Sequence, residues 1–275
     1  DGASAAPRGL ITAGGGVVDG PGGLQLTLPA GAVSEPTPVT LAMLGASPLP
    51  LPDVLSFVAG VGVQVDRALA RGGLLSLPVP DGVTDASRLL LVRVAPVAGQ
   101  TRLLLAGVAR IEGGRLVADT RVAGQSTALE GVVEPGQYLF LQVAEPIGFV
   151  GGLVRGVQGA TFAGALVTSD SLPVASLSNA LGAYLAVGRV ATVAFTARDL
   201  AKHDTGSAQA FLLASQLQAL ALRLVAVPPQ VTSITPADGA GGVALGTPVV
   251  VTFSEPIDPA SVSGEDLANV LLRTP

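Results

Sequence analysis

Short stretches in which apolar and polar residues alternate recur about every ten residues, and Gly or Pro separates one from the next. Leu24, Leu26 and Leu28 illustrate the pattern, because Gln25 and Thr27 lie between them. A period of two places every second side chain on the same face of an extended strand. Further runs of this kind begin near residues 39, 61, 75 and 90. The 36 Gly and 21 Pro residues supply the turns between them. The pattern predicts an all-β chain with few long helices.

Two segments sharpen this prediction. Gly113 and Gly114 separate two strand-like runs, and this pair predicts a β-hairpin because both positions can adopt a positive φ. Residues 208–227 are ambiguous, since their Ala, Leu and Gln content suits a helix while the alternation of Leu with Ala suits strands. We favour strands for this segment.

Chain length and proline positions predict a series of domains. A chain of 275 residues suits several domains of ordinary size. Pro228 and Pro229 form the clearest linker, because consecutive prolines end any regular element. We predict tandem β-sandwich modules in four units, at residues 1–68, 69–146, 147–228 and 229–275. The fourth unit has roughly half of the ~100 residues of an Ig-type sandwich, so we expect it to be incomplete. Either the protein continues past Pro275 or a neighbouring chain supplies the missing strands.

Composition excludes several classes of partner and chemistry. The net charge is −5 and the Arg residues are scattered, which argues against nucleic acid as a partner. No apolar run reaches the ~18 uninterrupted residues of a membrane span, since the best candidate, residues 211–227, contains Gln216, Gln218 and Arg223. The absence of Cys removes disulfides, thiolate metal sites and Cys nucleophiles.

The first of three family resemblances lies in residues 14–44, GGGVVDGPGGLQLTLPAGAVSEPTPVTLAML. Here Pro29 ends one strand, Gly31 permits the chain to reverse, and a second strand begins at Val39. The stretch resembles the opening of the β-domain shared by ankyrins, netrin receptors and zonula occludens proteins, which also occurs in bacterial surface proteins. The resemblance implies a companion β-domain at residues 69–146. In some members this companion carries a His-Phe-Ser autoproteolysis site, but no His occurs here.

The second resemblance covers residues 151–227. Its carriers are GLVRG at residues 152–156, FAGALV at residues 162–167 and NALGAY at residues 179–184. These motifs resemble the carboxypeptidase regulatory-like, transthyretin-like sandwich, in which Gly and Tyr form a turn-and-strand signature. That family implies a structural appendage and not a catalyst.

The third resemblance lies in residues 229–262, PQVTSITPADGAGGVALGTPVVVTFSEPIDPASV. The stretches SITPADG at residues 233–239 and TFSEPIDP at residues 252–259 are similar to a bacterial Ig-like domain. Such modules occur in tandem in secreted and surface-anchored bacterial proteins. The resemblance therefore implies an extracellular or cell-surface location.

The sequence offers few residues for catalysis. His203 is the single histidine, and with Lys202 and Asp204 it forms a polar stretch that a Ser-His-Asp relay would use. No nucleophile-elbow motif accompanies it, so we interpret this stretch as a solvated loop. A Lys–Asn isopeptide crosslink would have to join Lys202 to Asn179 or Asn269. We predict no enzyme activity and no catalytic, cofactor-binding or metal-binding residues.

Other candidate sites also have simpler interpretations. The Gly triplet at residues 14–16 precedes a strand and not a helix, so we interpret it as a turn and not a phosphate-binding loop. Acidic residues that would hold calcium or act as paired carboxylates lie without the spacing of a ligand ladder, and we interpret them as loop or turn acids. These acids are Glu255, Asp258, Glu265, Asp266, Asp53, Asp66, Asp81 and Asp85.

Two functional hypotheses remain at this level. The first is a non-catalytic structural or adhesive module array of a bacterial extracellular or cell-surface protein, with other copies of itself or neighbouring modules as partners. Self-assembly into a filament by strand addition is its sharper form. The alternative is a carbohydrate- or ligand-binding sandwich, which would use exposed aromatics among Phe57, Phe149, Tyr138 and Tyr184.

Overall fold

The computed structural model describes residues 8–254 and Ile257. Within this part of the chain the regular structure consists of strands, with one 3-10 turn at Pro21–Gly23. The prediction of an all-β chain is therefore confirmed. No helix in the described residues has the length and apolar character needed to cross a membrane.

The first sandwich is built from the strands before residue 144. These are β1 Arg8–Ile11, β2 Gly16–Asp19, β3 Gln25–Leu28, β4 Thr37–Leu44, β5 Leu55–Val65, β6 Leu74–Pro78, β7 Leu89–Val97, β8 Gln100–Glu112, β9 Arg115–Asp119, β10 Arg121–Val122, β11 Gln125–Ser126 and β12 Gly136–Val143. Ten of them pair in the order β2-β3-β6-β9-β8-β7-β12-β5-β4-β1. A bridge between Thr12 and Gly15 links the segments after β1 and before β2, so the sheet curls back toward its own beginning.

Alternation and turn chemistry explain this sandwich locally. In β3, Leu26 and Leu28 are buried while Thr27 between them is exposed, as the period of two predicts. The predicted hairpin joins β8 to β9, and Gly113 and Gly114 have φ values of 57° and 75°. Leu26, Leu75 and Phe140 are among the side chains of the first core, which the curled sheet encloses.

The second sandwich comprises the next eight strands. These are β13 Ile147–Arg155, β14 Leu166–Ser169, β15 Val174–Leu177, β16 Ala183–Arg189, β17 Thr192–Arg198, β18 Thr205–Phe211, β19 Leu217–Ala219 and β20 Leu222–Arg223. One sheet places β13 between β16 and the short strands β19 and β20, and the other has the order β15-β14-β17-β18. Val150, Tyr184 and Phe195 belong to the second core, which lies between these sheets. The ambiguous segment 208–227 forms strands, as favoured.

Strand pairing also joins the stretches that the sequence analysis separated. Strand β12 pairs with β5 and with β7, so residues before and after position 68 share one sheet and one core. Strand β15 of the second sandwich pairs in parallel with β8, with Val174 opposite Leu103 and Ala175 opposite Leu104. The four predicted unit boundaries themselves stay predictions.

The last elements of the described residues form a hairpin of β21 Val231–Thr235 and β22 Val250–Phe253, which pair with each other. Ile234 lies opposite Val251, and their side chains are 50% and 37% exposed. Residues 255, 256 and 258–275 of the predicted fourth unit lie outside the described residues, so its expected incompleteness stays a prediction.

Candidate functional site

The two sandwiches meet through a third apolar core, which we call the interface core. Strand β7 serves two cores at once, because Leu91 points into the first core while its neighbour Leu90 points into the interface core. Strand β12 does the same with Phe140 and Leu141. All four side chains are fully buried, so these two strands are covered on both faces. The buried members of the interface core are Leu55, Leu90, Val92, Leu103, Leu105, Val122, Leu139, Leu141, Val143, Ile147, Phe149, Leu172, Val174, Leu185 and Val187.

The second sandwich contributes to the interface core through its sheet of β13 and β16. Phe149 and Leu185 point toward the first sandwich and are 4% and 2% exposed. Val150 and Ala186, the next residues along the same strands, point into the second core. Each strand therefore packs on both faces, and the same alternation that builds each sandwich also joins them.

Polar contacts hold the short connection between the sandwiches from both sides. The N–H of Ala144 donates to the carbonyl of Val54 at 3.0 Å, and Arg88 Nη1 donates to the carbonyl of Ala144 at 2.7 Å. From the second sandwich, Arg189 Nη1 donates to Glu145 Oε1 at 2.8 Å. Because residues of both sandwiches bind this connection, we expect it to act as a fixed joint.

The interface core was not predicted from the sequence. The alternating run that begins near residue 90 predicts a strand with one buried face, whereas Leu90 and Leu91 are both buried. The available signal was the presence of consecutive apolar residues, LLLV at 89–92 and YLFL at 138–141, since such runs are typical of strands buried on both faces.

The hydrogen bonds of the loop around His203 involve Arg198 and two carboxylates. The His203 Nδ1 atom lies within hydrogen-bond distance of Arg198 Nη2, and His203 has a φ of 61°. Asp199 Oδ1 accepts the N–H of Ala201 at 2.8 Å, and Asp204 Oδ1 accepts the N–H of Val227 at 3.2 Å. The two carboxylates therefore order the backbone of this loop.

The residues considered for an isopeptide crosslink lie in separate turns. The Oδ1 atom of Asn179 accepts the N–H groups of Leu181 and Ala183, both at 3.0 Å, which fixes the predicted turn before β16. Lys202 lies in the exposed loop after β17. No hydrogen bond joins Asn179 to Lys202 within the described part of the chain, and Asn269 lies outside it.

The Gly triplet and the acidic candidates lie in turns and loops. Gly15 has a φ of 76° and belongs to the predicted turn between β1 and β2. Asp85 accepts hydrogen bonds from the Ser87 hydroxyl at 2.6 Å and from the Ser87 N–H at 2.8 Å, and these bonds lower the pKa of the Asp85 carboxyl. Asp53, Asp66 and Asp81 are exposed. No group of three metal-ligating side chains occurs in the residues that the structure describes. The candidates Glu255, Asp258, Glu265 and Asp266 fall outside them.

Most of the aromatic candidates are core residues. Tyr138, Tyr184 and Phe149 are 0%, 2% and 4% exposed. The Tyr138 and Tyr184 hydroxyls donate at 2.8 Å to the carbonyls of Glu134 and Leu220, respectively. Burial raises the pKa of Tyr138 to about 12 and also raises the pKa of Tyr184.

Two other aromatic side chains, Phe57 and Phe211, are less buried than these tyrosines. Phe57 is partly buried against the interface core. Phe211, at the end of β18, is 58% exposed and is not among the candidates named from the sequence.

Comparison with known proteins finds one family that is similar to the last part of the chain. The family described as "Bacterial Ig-like domain" matches residues 225–272, which confirms the third resemblance. The first two resemblances stay predictions. None of the curated proteins matches the chain.

Similar solved structures include the major pilin subunit BcpA of Bacillus cereus, at 10% identity. The similarity covers 74% of this chain and 85% of the pilin chain, with a TM-score of 0.23. That score is too low to transfer a fold or a function.

Proposed function

We propose that this chain is a non-catalytic structural or adhesive module array of a bacterial extracellular or cell-surface protein. The observation that carries the proposal is the interface core, because it joins two sandwiches into one body. The match of residues 225–272 to a bacterial Ig-like domain supports the bacterial setting. The extracellular or cell-surface location is what the third sequence resemblance implies.

The composition of the interface core favours a mechanical role. Interfaces between domains of one chain are commonly as polar as transient protein–protein contacts, and relative motion is their usual consequence. Here 15 buried apolar side chains pack together between the sandwiches, and a strand pair between β8 and β15 adds backbone pairing. A body of this kind holds its two ends at a fixed distance, which suits spacing or display.

The proposed non-catalytic role can be tested directly. Catalytic groups often have a pKa that a specific partner has shifted within a cleft. The shifts at Asp85, Tyr138 and Tyr184 have structural causes, namely a turn hydrogen bond and burial in the cores. A panel of hydrolase substrates, measured with the full chain and with His203→Ala, tests this part of the proposal. Turnover that the substitution abolishes would contradict it.

Surface labelling tests the proposed location. Antibodies raised against the purified chain are expected to label intact cells of the source bacterium, or to detect the protein in the culture medium. Labelling that appears only after lysis would contradict an extracellular role.

Electron microscopy of the purified chain tests the sharper form of the proposal, in which copies of the chain assemble into a filament. Dispersed monomers at high concentration would exclude self-assembly and leave the module-array proposal in place.

A carbohydrate-binding role is the second candidate, and the exposure of Phe211 favours it. Sugar rings commonly stack on exposed aromatic side chains. A glycan array measured with the full chain and with Phe211→Ala separates the candidates. Binding that disappears on substitution would support carbohydrate recognition, and the absence of binding by the full chain would remove it.

A further inference from the structure

Strand β18 lies at one end of the 14-stranded sheet and carries an open edge. It pairs with β17 over its whole length, with Thr192 opposite Phe211 at one end and Arg198 opposite Thr205 at the other. On its other side, the described part of the chain hydrogen-bonds to β18 at a single bridge, between Thr205 and Val225, next to the point where Gly206 packs against the backbone of Arg223. Beyond that bridge, no strand of the described residues pairs with β18 on this side.

The hydrogen bonds that flank the pairing show which backbone groups are open. The Asp199 N–H donates to the carbonyl of Asp204, and the Leu212 N–H donates to the carbonyl of Ala191, both at 2.8 Å. Residues of an antiparallel pair alternate between bonding to the partner strand and pointing away from it. Positions 206, 208 and 210 therefore bond to β17, while positions 207, 209 and 211 direct their N–H and C=O groups outward. Thr205 belongs to the outward-directed set, and its N–H and C=O groups accordingly bond to Val225 and not to β17.

This edge lacks the features that usually prevent strands from pairing between molecules. Edge strands of monomeric proteins commonly carry charged residues or Pro. Strand β18 has the sequence TGSAQAF and contains neither. Ser207, Gln209 and Phe211 are exposed, and Phe211 places an apolar ring at the end of the open stretch.

We propose that two copies of the chain pair through β18, antiparallel and centred on Gln209. This inference rests on the part of the proposed function in which copies of the chain assemble, and it names the strand through which they meet. A two-fold axis at Gln209 places it opposite its own symmetry mate and places Ser207 opposite Phe211. Each of these pairs exchanges two backbone hydrogen bonds, because all of the open groups face the partner. No charged side chain lies within the paired stretch.

The symmetry of this contact limits what it can build. An isologous contact uses the same surface on both copies and closes after two of them. Pairing through β18 therefore gives a dimer in which the two large sheets become continuous, and a filament would need a second contact elsewhere. A five-residue strand buries far less than the ~1,200 Å² of a stable interface, so we expect a weak dimer that forms at high concentration.

A single introduced cysteine tests the register. The chain has no Cys, so Gln209→Cys creates one thiol per copy. In the proposed pair the two Cα atoms at this position lie about 5.5 Å apart, within the range that a disulfide spans. The matched control is Ser207→Cys, on the same face of the same strand, whose symmetry mates would lie about 14 Å apart. We expect mild oxidation to crosslink Gln209→Cys at least about tenfold faster than Ser207→Cys. Equal rates, or no crosslinking of either chain, would overturn the proposal.

A second set of variants tests the contact without crosslinking. Gln209→Pro removes an N–H that bonds to nothing within one copy, so the edge strand tolerates it, but the dimer loses two hydrogen bonds. At about fivefold per bond, dimerisation measured by sedimentation should weaken by about 25-fold, whereas Gln209→Thr should dimerise like the original chain. In the proposed dimer, residue 209 of one copy lies opposite residue 209 of the other. Gln209→Lys alone and Gln209→Glu alone should therefore be monomeric, because like charges would meet, whereas a mixture of the two variants should associate. Circular dichroism verifies that each variant is folded. If folded Gln209→Pro associates as strongly as the original chain, the proposal is overturned. It is also overturned if the Gln209→Lys and Gln209→Glu variants do not associate when they are mixed.

Discussion

Replacing Leu90 and Leu91 by Ala, one at a time, separates the two cores that strand β7 serves. Both side chains are fully buried, and they lie on opposite faces of the same strand. Leu91 belongs to the first core and Leu90 to the interface core. The substitutions are therefore matched in residue type, burial and strand, and they differ in which core loses volume.

The expected loss follows from this burial. Each substitution removes three carbons, worth about 0.8 kcal/mol each, and the residual cavity brings the total to about 3–5 kcal/mol. We expect both variants to lose free energy of unfolding by this amount, since the interface core is packed like a protein interior. Leu181→Ala is the exposed control: its side chain is 73% exposed, and it should change stability by less than about 0.5 kcal/mol.

Equilibrium unfolding of the full chain in guanidinium chloride, followed by far-ultraviolet circular dichroism, measures all three variants. The decisive comparison is between the two buried positions. A loss below about 1 kcal/mol for Leu90→Ala, beside a loss of about 3 kcal/mol or more for Leu91→Ala, would refute a packed interface core. The two sandwiches would then be in contact without depending on each other.

Two further predictions concern the titration of a buried Tyr and the geometry of a turn. Burial raises the pKa of Tyr138 from 10.0 to about 12, so the folded chain holds this proton more tightly than the unfolded chain. The resulting stability is present below pH 10 and is lost as the pH rises through about 12; unfolding measured across this range should show a decline that Tyr138→Phe reduces. Gly182→Ala should cost about 1–3 kcal/mol more than Gly99→Ala in thermal unfolding. Their φ values are 76° and 75°, but a Cβ at Gly182 would lie 2.9 Å from Thr161 Cβ, while at Gly99 it meets nothing within 4 Å. Equal losses of stability in the two variants would show that the positive φ, and not the close approach of the added Cβ to Thr161, determines the cost.

The parts of the fold that the sequence predicted are those that local rules determine. The alternation of Leu24, Leu26 and Leu28 and the hairpin at Gly113 and Gly114 follow from the period of a strand and from the φ angles that Gly permits. Residues 208–227 were ambiguous because Ala, Leu and Gln suit both kinds of element. Packing against β13 and β17 decided in favour of strands.

The parts that could not be predicted depend on contacts between distant segments. Nothing in residues 174 and 175 indicates that they pair with β8, some 70 residues earlier, since strand pairing across that distance leaves no local pattern. The interface core had a signal in the apolar runs at 89–92 and 138–141, but such runs do not show what covers their second face. The open edge of β18 became visible only when its partner strand and hydrogen-bond pattern were known.

The central claim is that the two sandwiches form one body, and the two tyrosines allow a direct test. Tyr138 lies in the first core and Tyr184 in the second, and the chain has no Trp. Tyr184→Phe leaves a fluorophore that reports the first sandwich, and Tyr138→Phe leaves one that reports the second. Unfolding of each variant is followed by tyrosine fluorescence and by circular dichroism on the same sample, so each variant is its own reference. One body predicts that the two signals share a single midpoint in each variant. A fluorescence midpoint that precedes the circular dichroism midpoint in one variant and follows it in the other would contradict the claim.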